Sequence, residues 1–163
     1  MKLEKHWPGI LQVLGNARKS NRFFSIATVD ENGNPHVTPI GHVFFRDDMT
    51  GYYFDAYSKA MPRNFEHNRR ICLMAVNSST GFWLKSLFRG QFSSAPAVRL
   101  FGEVGDARDA SADEIERLEK GIRITSRLKG HKLIWHGLDR VRDIRIDGFS
   151  PATYPAMCGG LWQ

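Results

Sequence analysis

Ser58, Lys59 and Arg63 open the stretch "SKAMPRNFEH", where a change in residue spacing predicts a short helix. A hydroxyl and two cationic donors at the start of a helix are the surroundings a phosphate group requires. Just upstream, "GYYFDA" reads as a strand and "HVTPI" as another. Pro39 interrupts the second of these, and a proline removes a ladder donor, so it belongs at a sheet edge or a bulge. A flat ring system with its own donors and acceptors can pair with strand backbone where a ladder is interrupted. Together these stretches suit an anionic aromatic cofactor. The plainer reading of Lys59 and Arg63 is the solvated face of a surface helix.

Catalysis by side chains alone finds little support. The serines have no nucleophile-elbow context and no paired carboxylates stand in an acid/base arrangement. His36 and His42 share a face of one expected strand, about 20 Å apart if the chain is extended, too far to hold one metal. His131 and His136 stand five residues apart, a weak metal signal, and no metal site is expected. There is no GxGxxG after a strand and no GxxxxGK[ST], which removes the Rossmann and P-loop nucleotide sites. Cys72 and Cys158 form no CxxC pair and suggest neither a zinc knuckle nor a redox dithiol. Cys72, inside "ICLMAV", reads as a small buried hydrophobe.

The chain of 163 residues has a net charge of +6 and a pI near 9.6. Its cations are scattered, with one tighter group, Lys59, Arg63, Arg69 and Arg70, and no nucleic-acid-binding signature accompanies them. No nucleic-acid or membrane partner is expected. The first sixteen residues contain Glu4 and only a short apolar run, which fits neither a signal peptide nor a span, so a cytoplasmic location is expected.

These residues need a frame. Trp7 to Ala17 has helical apolar spacing, Arg22 to Asp30 alternates, and Asn32-Gly33 is a strong hairpin turn. A strand over His36 to Phe45 follows, then "YYFDA", the short helix with Phe65 inward, and the buried strand "ICLMAVN". "SSTGFWLKSLFRGQFSSAP" is too long for a hairpin loop and serves either as a lid carrying Trp83 or Phe88 or as a piece packed on the body or a dimer seam. Val98 to Val104 alternates, Ser111 and Glu114 form a capping box for a helix through about Leu128, and "VRDIRIDGF" is a last strand. The tail, with Tyr154 and Trp162, reaches a partner or covers an edge. Six antiparallel strands with two or three helices suit a small closed barrel in one domain, residues 1–163.

The order "FFSIATVDENGNPHVTPIGHVFF", "GYYFDA", "SKAMPRNFEHNRRICLM" and "AVRLFGEV" resembles the pyridoxamine 5'-phosphate oxidase-like superfamily of FMN-binding split barrels. The resemblance covers about residues 7 to 107. It implies a mainly β fold with flanking helices, a six-stranded antiparallel Greek-key split β-barrel that forms a homodimer with FMN at the subunit interface. By position, it implies that Thr38, Pro39 and Ile40 lie against the flavin ring and that Phe54 and Asp55 lie near the ribityl chain or phosphate. Ser58, Lys59 and Arg63 would bind the phosphate, and Arg99 would approach from the partner. Met61, followed by Pro62, stands where many members carry a basic residue. His36 and Thr38 stand in the strand where the true pyridoxamine phosphate oxidases display an arginine, so vitamin-B6 chemistry is not implied. An FMN-dependent oxidoreductase acting on a small molecule is the leading expectation. A deazaflavin-dependent reductase and a non-catalytic flavin- or haem-binding module, with His36 or His42 as axial ligand, are the alternatives.

Overall fold

A computed structural model describes residues 2–56, 58–123, 137–154 and 156–162. The chain opens with α1 (Leu3–Asn21), longer at both ends than the spacing predicts, which buries Trp7, Ile10, Val13, Leu14 and Ala17 on one face. Arg22 ends it in the left-handed region (φ 64), donating its N–H to the Arg18 carbonyl at 3.0 Å. β1 (Phe24–Val29) and β2 (Pro35–Ile40) then form the expected hairpin. Gly33 supplies the positive φ, and the Asp30 carboxylate accepts the Asn32 and Asn34 amides at 2.9 and 2.8 Å. Hydrogen bonds led by those from Asn34 bring the Asp30 carboxyl down to about 2.

The strand expected over His36 to Phe45 is two strands. Gly41 and His42 separate β2 from β3 (Val43–Phe45); β2 pairs with β1, whereas β3 pairs with β4 (Thr50–Phe54). With β5 (Arg70–Val76), β6 (Ala97–Asp109) and β7 (Arg140–Ala152), the sheet has seven antiparallel strands among the described residues, not six, in the order β2-β1-β5-β6-β7-β4-β3. Its two edge strands are joined by only two residues, so the sheet has to curl until its edges approach one another. A curled half-barrel results. The correction has a plain cause: both halves of residues 36–45 suit extended backbone equally, and only their partners differ. It also removes the single strand face on which His36 and His42 were to stand.

One sharp bend is set by glycine. The β6–β7 register shifts between Phe101 and Gly102, where a Cβ on Gly102 would lie 2.3 Å from the Arg145 carbonyl oxygen.

The main core gathers the inward residues of β1, β5, β6 and β7 under α1, with Ile26, Leu73, Val98 and Leu100 fully buried. Cys72 faces the other way and is half-buried, with burial pushing its thiol up. A smaller cluster of Tyr52, Phe54, Leu118 and Val141 lies under α4 (Ala112–Ile122). The capping box of Ser111 and Glu114 is present. The helix expectation beyond residue 123, and both His131 and His136, lie outside the described residues. α3 (Thr80–Arg89) occupies the long β5–β6 connection and packs on the body by aromatic contacts, Phe82 on Phe92 and Trp83 on Phe92 and Tyr154. Trp162 packs on Phe149 and His6 instead. Among the described residues no helix is long and apolar enough to cross a membrane.

Glu114 fastens α4 to the sheet. Its carboxylate accepts from Arg108 at 2.8 and 2.9 Å and from Arg46 at 3.3 Å while also closing the capping box. Arg108 in turn grips Asp143 at 2.6 and 2.9 Å. Hydrogen bonds from Arg108 hold the Glu114 carboxyl below its ordinary range. Its contribution to stability is therefore complete above the unfolded-state carboxylate value and is lost as pH falls through the lower folded value. Glu114→Ala is expected to cost about 1–3 kcal/mol at pH 7, read by urea denaturation, with the deficit shrinking as the titration is carried into acid.

Candidate functional site

The expected site residues stand on two stretches, the end of β2 and the segment that leads from β4 into the next helix. Val43 stands opposite Tyr53, and one position further the Phe54 amide still reaches the His42 carbonyl at 3.4 Å. Beyond this contact β4 leans to its other neighbour: the Asp55 amide donates to the Arg140 carbonyl at 3.0 Å, and the Asp55 carboxylate accepts from Arg142 Nε at 2.6 Å. β2 meanwhile remains bonded to β1 as far as Phe24–Ile40. Among the described residues no backbone hydrogen bond bridges the two strands past this point. Thr38, Pro39 and Ile40 thus stay with β1 at one edge of the sheet, while the segment after Phe54 follows β7.

α2 (Ala60–His67) follows that segment. The Ser58 hydroxyl accepts from the Met61 amide at 3.2 Å, starting the helix. Met61 is fully buried and Phe65 nearly so, while the buried Asn64 side chain donates to the Thr28 hydroxyl at 2.8 Å. Three inward anchors thus fix the helix so that Lys59 and Arg63 remain exposed at its first turn. Of the four-cation group noted in the sequence, Arg69 pairs with Asp106 at 2.6 Å and Arg70 with Asp147, at 3.0 Å for one of its two contacts. Lys59 and Arg63 have no ion pair among the described residues. A hydroxyl and two uncommitted cations beside a helix N-terminus form a donor set fit for a phosphate monoester.

The remaining expected residues are placed less simply. Ile40 is buried in the main core, Thr38 is half-exposed and Pro39 exposed. The Phe54 ring turns into the cluster under α4, which leaves only its main chain for a ligand on the other side. Asp55 is engaged with Arg142, whose guanidinium also stands over the Phe65 ring at 5.4 Å. Arg99 is three strand spacings from β2, roughly 14 Å. It lies on the outer face of β6, in one cross-strand row with Pro39, Ser25 and Met74. Within one chain it does not join the others.

The model for the family described as pyridoxamine 5'-phosphate oxidase matches residues 13–144, most of the chain. The chain belongs to the pyridoxamine 5'-phosphate oxidase family. No curated protein matches it. Among solved structures, HupZ of Group A Streptococcus is similar at 17% identity, covering 91% of this chain and 98% of its own, with a TM-score of 0.58. An FMN-binding protein from Syntrophomonas wolfei is similar at 16% identity, with 93% and 95% coverage and a TM-score of 0.58. HutZ, the haem storage protein of Vibrio cholerae, is similar at 18% identity, with 93% and 95% coverage and a TM-score of 0.51. At these identities the likeness speaks for the fold.

For a member of this family, Arg142 and Asn64 are the residues that sequence reasoning missed. Their partners Asp55 and Thr28 are 87 and 36 positions away, which leaves no local signature. Asn64 sits in the family-like "RN" pair, yet its side chain serves the helix anchor. Met61, where many pyridoxamine 5'-phosphate oxidase-like chains carry a cation, is likewise turned into the core. His42, at the point of parting, is driven by burial, with Arg18 adding to the effect, to a pKa of about 4. Because the folded value lies below the ordinary one, this residue contributes stability above about pH 6.5 that is lost as pH falls towards 4. The His42 ring resonances should titrate near pH 4 in an NMR series, with a midpoint near 6.5 contradicting the burial. Separately, Asn64→Leu should destabilise by about 1–3 kcal/mol in urea, because it strands the buried Thr28 hydroxyl.

Proposed function

We propose that the protein is an FMN-dependent oxidoreductase, a one-domain chain acting as a homodimer and exchanging hydride or electrons with a small organic substrate. The observation that carries this reading is the start of α2, where Ser58 stands with Lys59 and Arg63, both exposed and without an ion pair among the described residues. The family assignment supports it, and the FMN-binding neighbour is consistent with it. When bound, the flavin supplies one- and two-electron chemistry that no side chain offers, which accords with the lack of a catalytic dyad.

The chain's own residues hold, orient and enclose. Ser58, Lys59 and Arg63 neutralise the phosphate, helped by the partial positive charge of the α2 N-terminus. Thr38, Pro39 and Ile40 present a stiff strand, open along one edge, to the ring, and Pro39 gives up no ladder bond because its outer side has no neighbouring strand. Phe54 and Asp55 border the ribityl chain, with the Asp55–Arg142 pair keeping that segment in place. Arg99 arrives from a second copy. The outer face of β2, β1, β5 and β6 supports this last point, since it carries Val37 (67% exposed), Pro39, Ala27, Cys72, Met74 and Phe101 as a largely apolar surface. An exposed apolar sheet face of this kind is a common subunit interface.

FMN added to the purified protein should lose fluorescence on binding, and light scattering should give twice the chain mass. Lys59→Ala and Arg63→Ala should each weaken FMN about tenfold, or about 1.4 kcal/mol, without changing the melting temperature. No affinity for FMN, or affinity indifferent to both substitutions, would overturn the proposal. Displacement of FMN by a deazaflavin at lower concentration would move the assignment to that cofactor.

A further inference from the structure

We infer that the cleft beside α3 is a second ligand site, shaped for a flat aromatic carboxylate. Its assignment as the substrate end of the flavin site rests on the function proposed above; its ligand class does not.

The cleft has a volume of about 440 Å³, in the range of small-molecule sites. Met74 and Val76 on the outer face of β5, together with Pro151 on β7, give it an apolar floor. Trp83 and Tyr154 form its walls, their rings 5.6 Å apart and at 89° to one another. These walls are fixed in advance. The Trp83 indole N–H donates to the Asn77 carbonyl at 2.7 Å, and Phe92 lies against both rings, at 5.2 and 5.8 Å. Two aromatic planes set at a right angle favour a flat ring, which can stack on one and present its edge to the other.

The charge is supplied by Arg99. It lines the cleft, its ladder neighbours are Met74 and Ser150, and no carboxylate is among the lining residues. Arg99 is exposed and has no ion pair among the described residues, and its planar fork matches a carboxylate through two parallel hydrogen bonds. A single cation without a helix N-terminus suits a monoanion. The phosphate-type site at Ser58, Lys59 and Arg63 is built differently, so the two ends select different groups. Arg99 also shares its cross-strand row with Pro39. A second copy laid on that outer face therefore brings the Arg99 end of the cleft towards the β2 edge of its partner.

The test uses 1-naphthoate as probe and neutral 1-naphthamide as control, titrated by calorimetry into the full chain with and without FMN. One naphthoate per chain is expected, bound at least tenfold more tightly than the amide in both conditions. R99Q should bring naphthoate down to the level of the amide, R99K should restore part of the difference, and W83L should weaken both probes. The K59A/R63A variant should lose FMN and keep naphthoate. Equal binding of the two probes, indifference to R99Q in a protein of unchanged melting temperature, or loss of naphthoate in K59A/R63A would overturn the site. Naphthoate binding in a protein with no affinity for FMN would overturn the substrate assignment and leave the cleft standing.

Discussion

One run of chain, residues 35–45, has to serve both edges of a single sheet. β2 is bonded to β1 and β3 to β4, and only Gly41 and His42 lie between them. A flat seven-stranded sheet would hold its edge strands about 29 Å apart at the usual strand spacing, a span that two residues cannot cross. Curling is thus imposed by covalent connection before any packing is considered, and α1 fills the hollow that the curl creates. Where the shared run passes from one edge to the other, the Phe54 amide bonds to the His42 carbonyl, and Asp55 is then drawn to β7 by its amide and carboxylate together. β2 meanwhile stays bonded to β1.

Charge is distributed in a way that composition conceals. The net +6 suggests a generally basic surface, yet Arg46, Arg69, Arg70, Arg108, Arg142 and Arg145 all face carboxylates. The exposed ones among these pairs contribute little stability individually, but all of them leave their arginines occupied. Among the described residues, Lys59 and Arg63 at the start of α2 and Arg99 in the cleft are not so engaged. Their value to a ligand comes from this, since an anion arriving there displaces no internal carboxylate.

The amino-acid order revealed the elements better than their partners. The β1–β2 turn was legible because Asn32-Gly33 and Asp30 satisfy local backbone rules, and the capping box of α4 was legible for the same reason. The break at Gly41 was not. Alternation continues through it, and the change of partner depends on strands lying far apart in sequence. Ser58, Lys59 and Arg63 were recognisable as a group because a helix start brings them together locally. Arg142 was hidden, because nothing near it in the chain marks it as the clamp on Asp55. The long aromatic segment gave its helix away only in outline, for Phe82 and Trp83 facing the body read the same as Leu84, Leu87 and Phe88, which face solvent.

The position of β7 bears on how the chain is assembled during synthesis. It follows the other six described strands in the chain, and it lies between β6 and β4. The hairpin of β1 and β2 can form early, and β5 and β6 can extend it as each emerges. β3 and β4 are translated before β5, yet they have no route into the sheet until residues 140–152 are available to bridge them. For that interval their strand edges are open to the wrong partner, a known hazard for pairings separated widely in sequence. β7 therefore decides when these edges of a nascent chain cease to be at risk of aggregation, as well as how the curled sheet is joined.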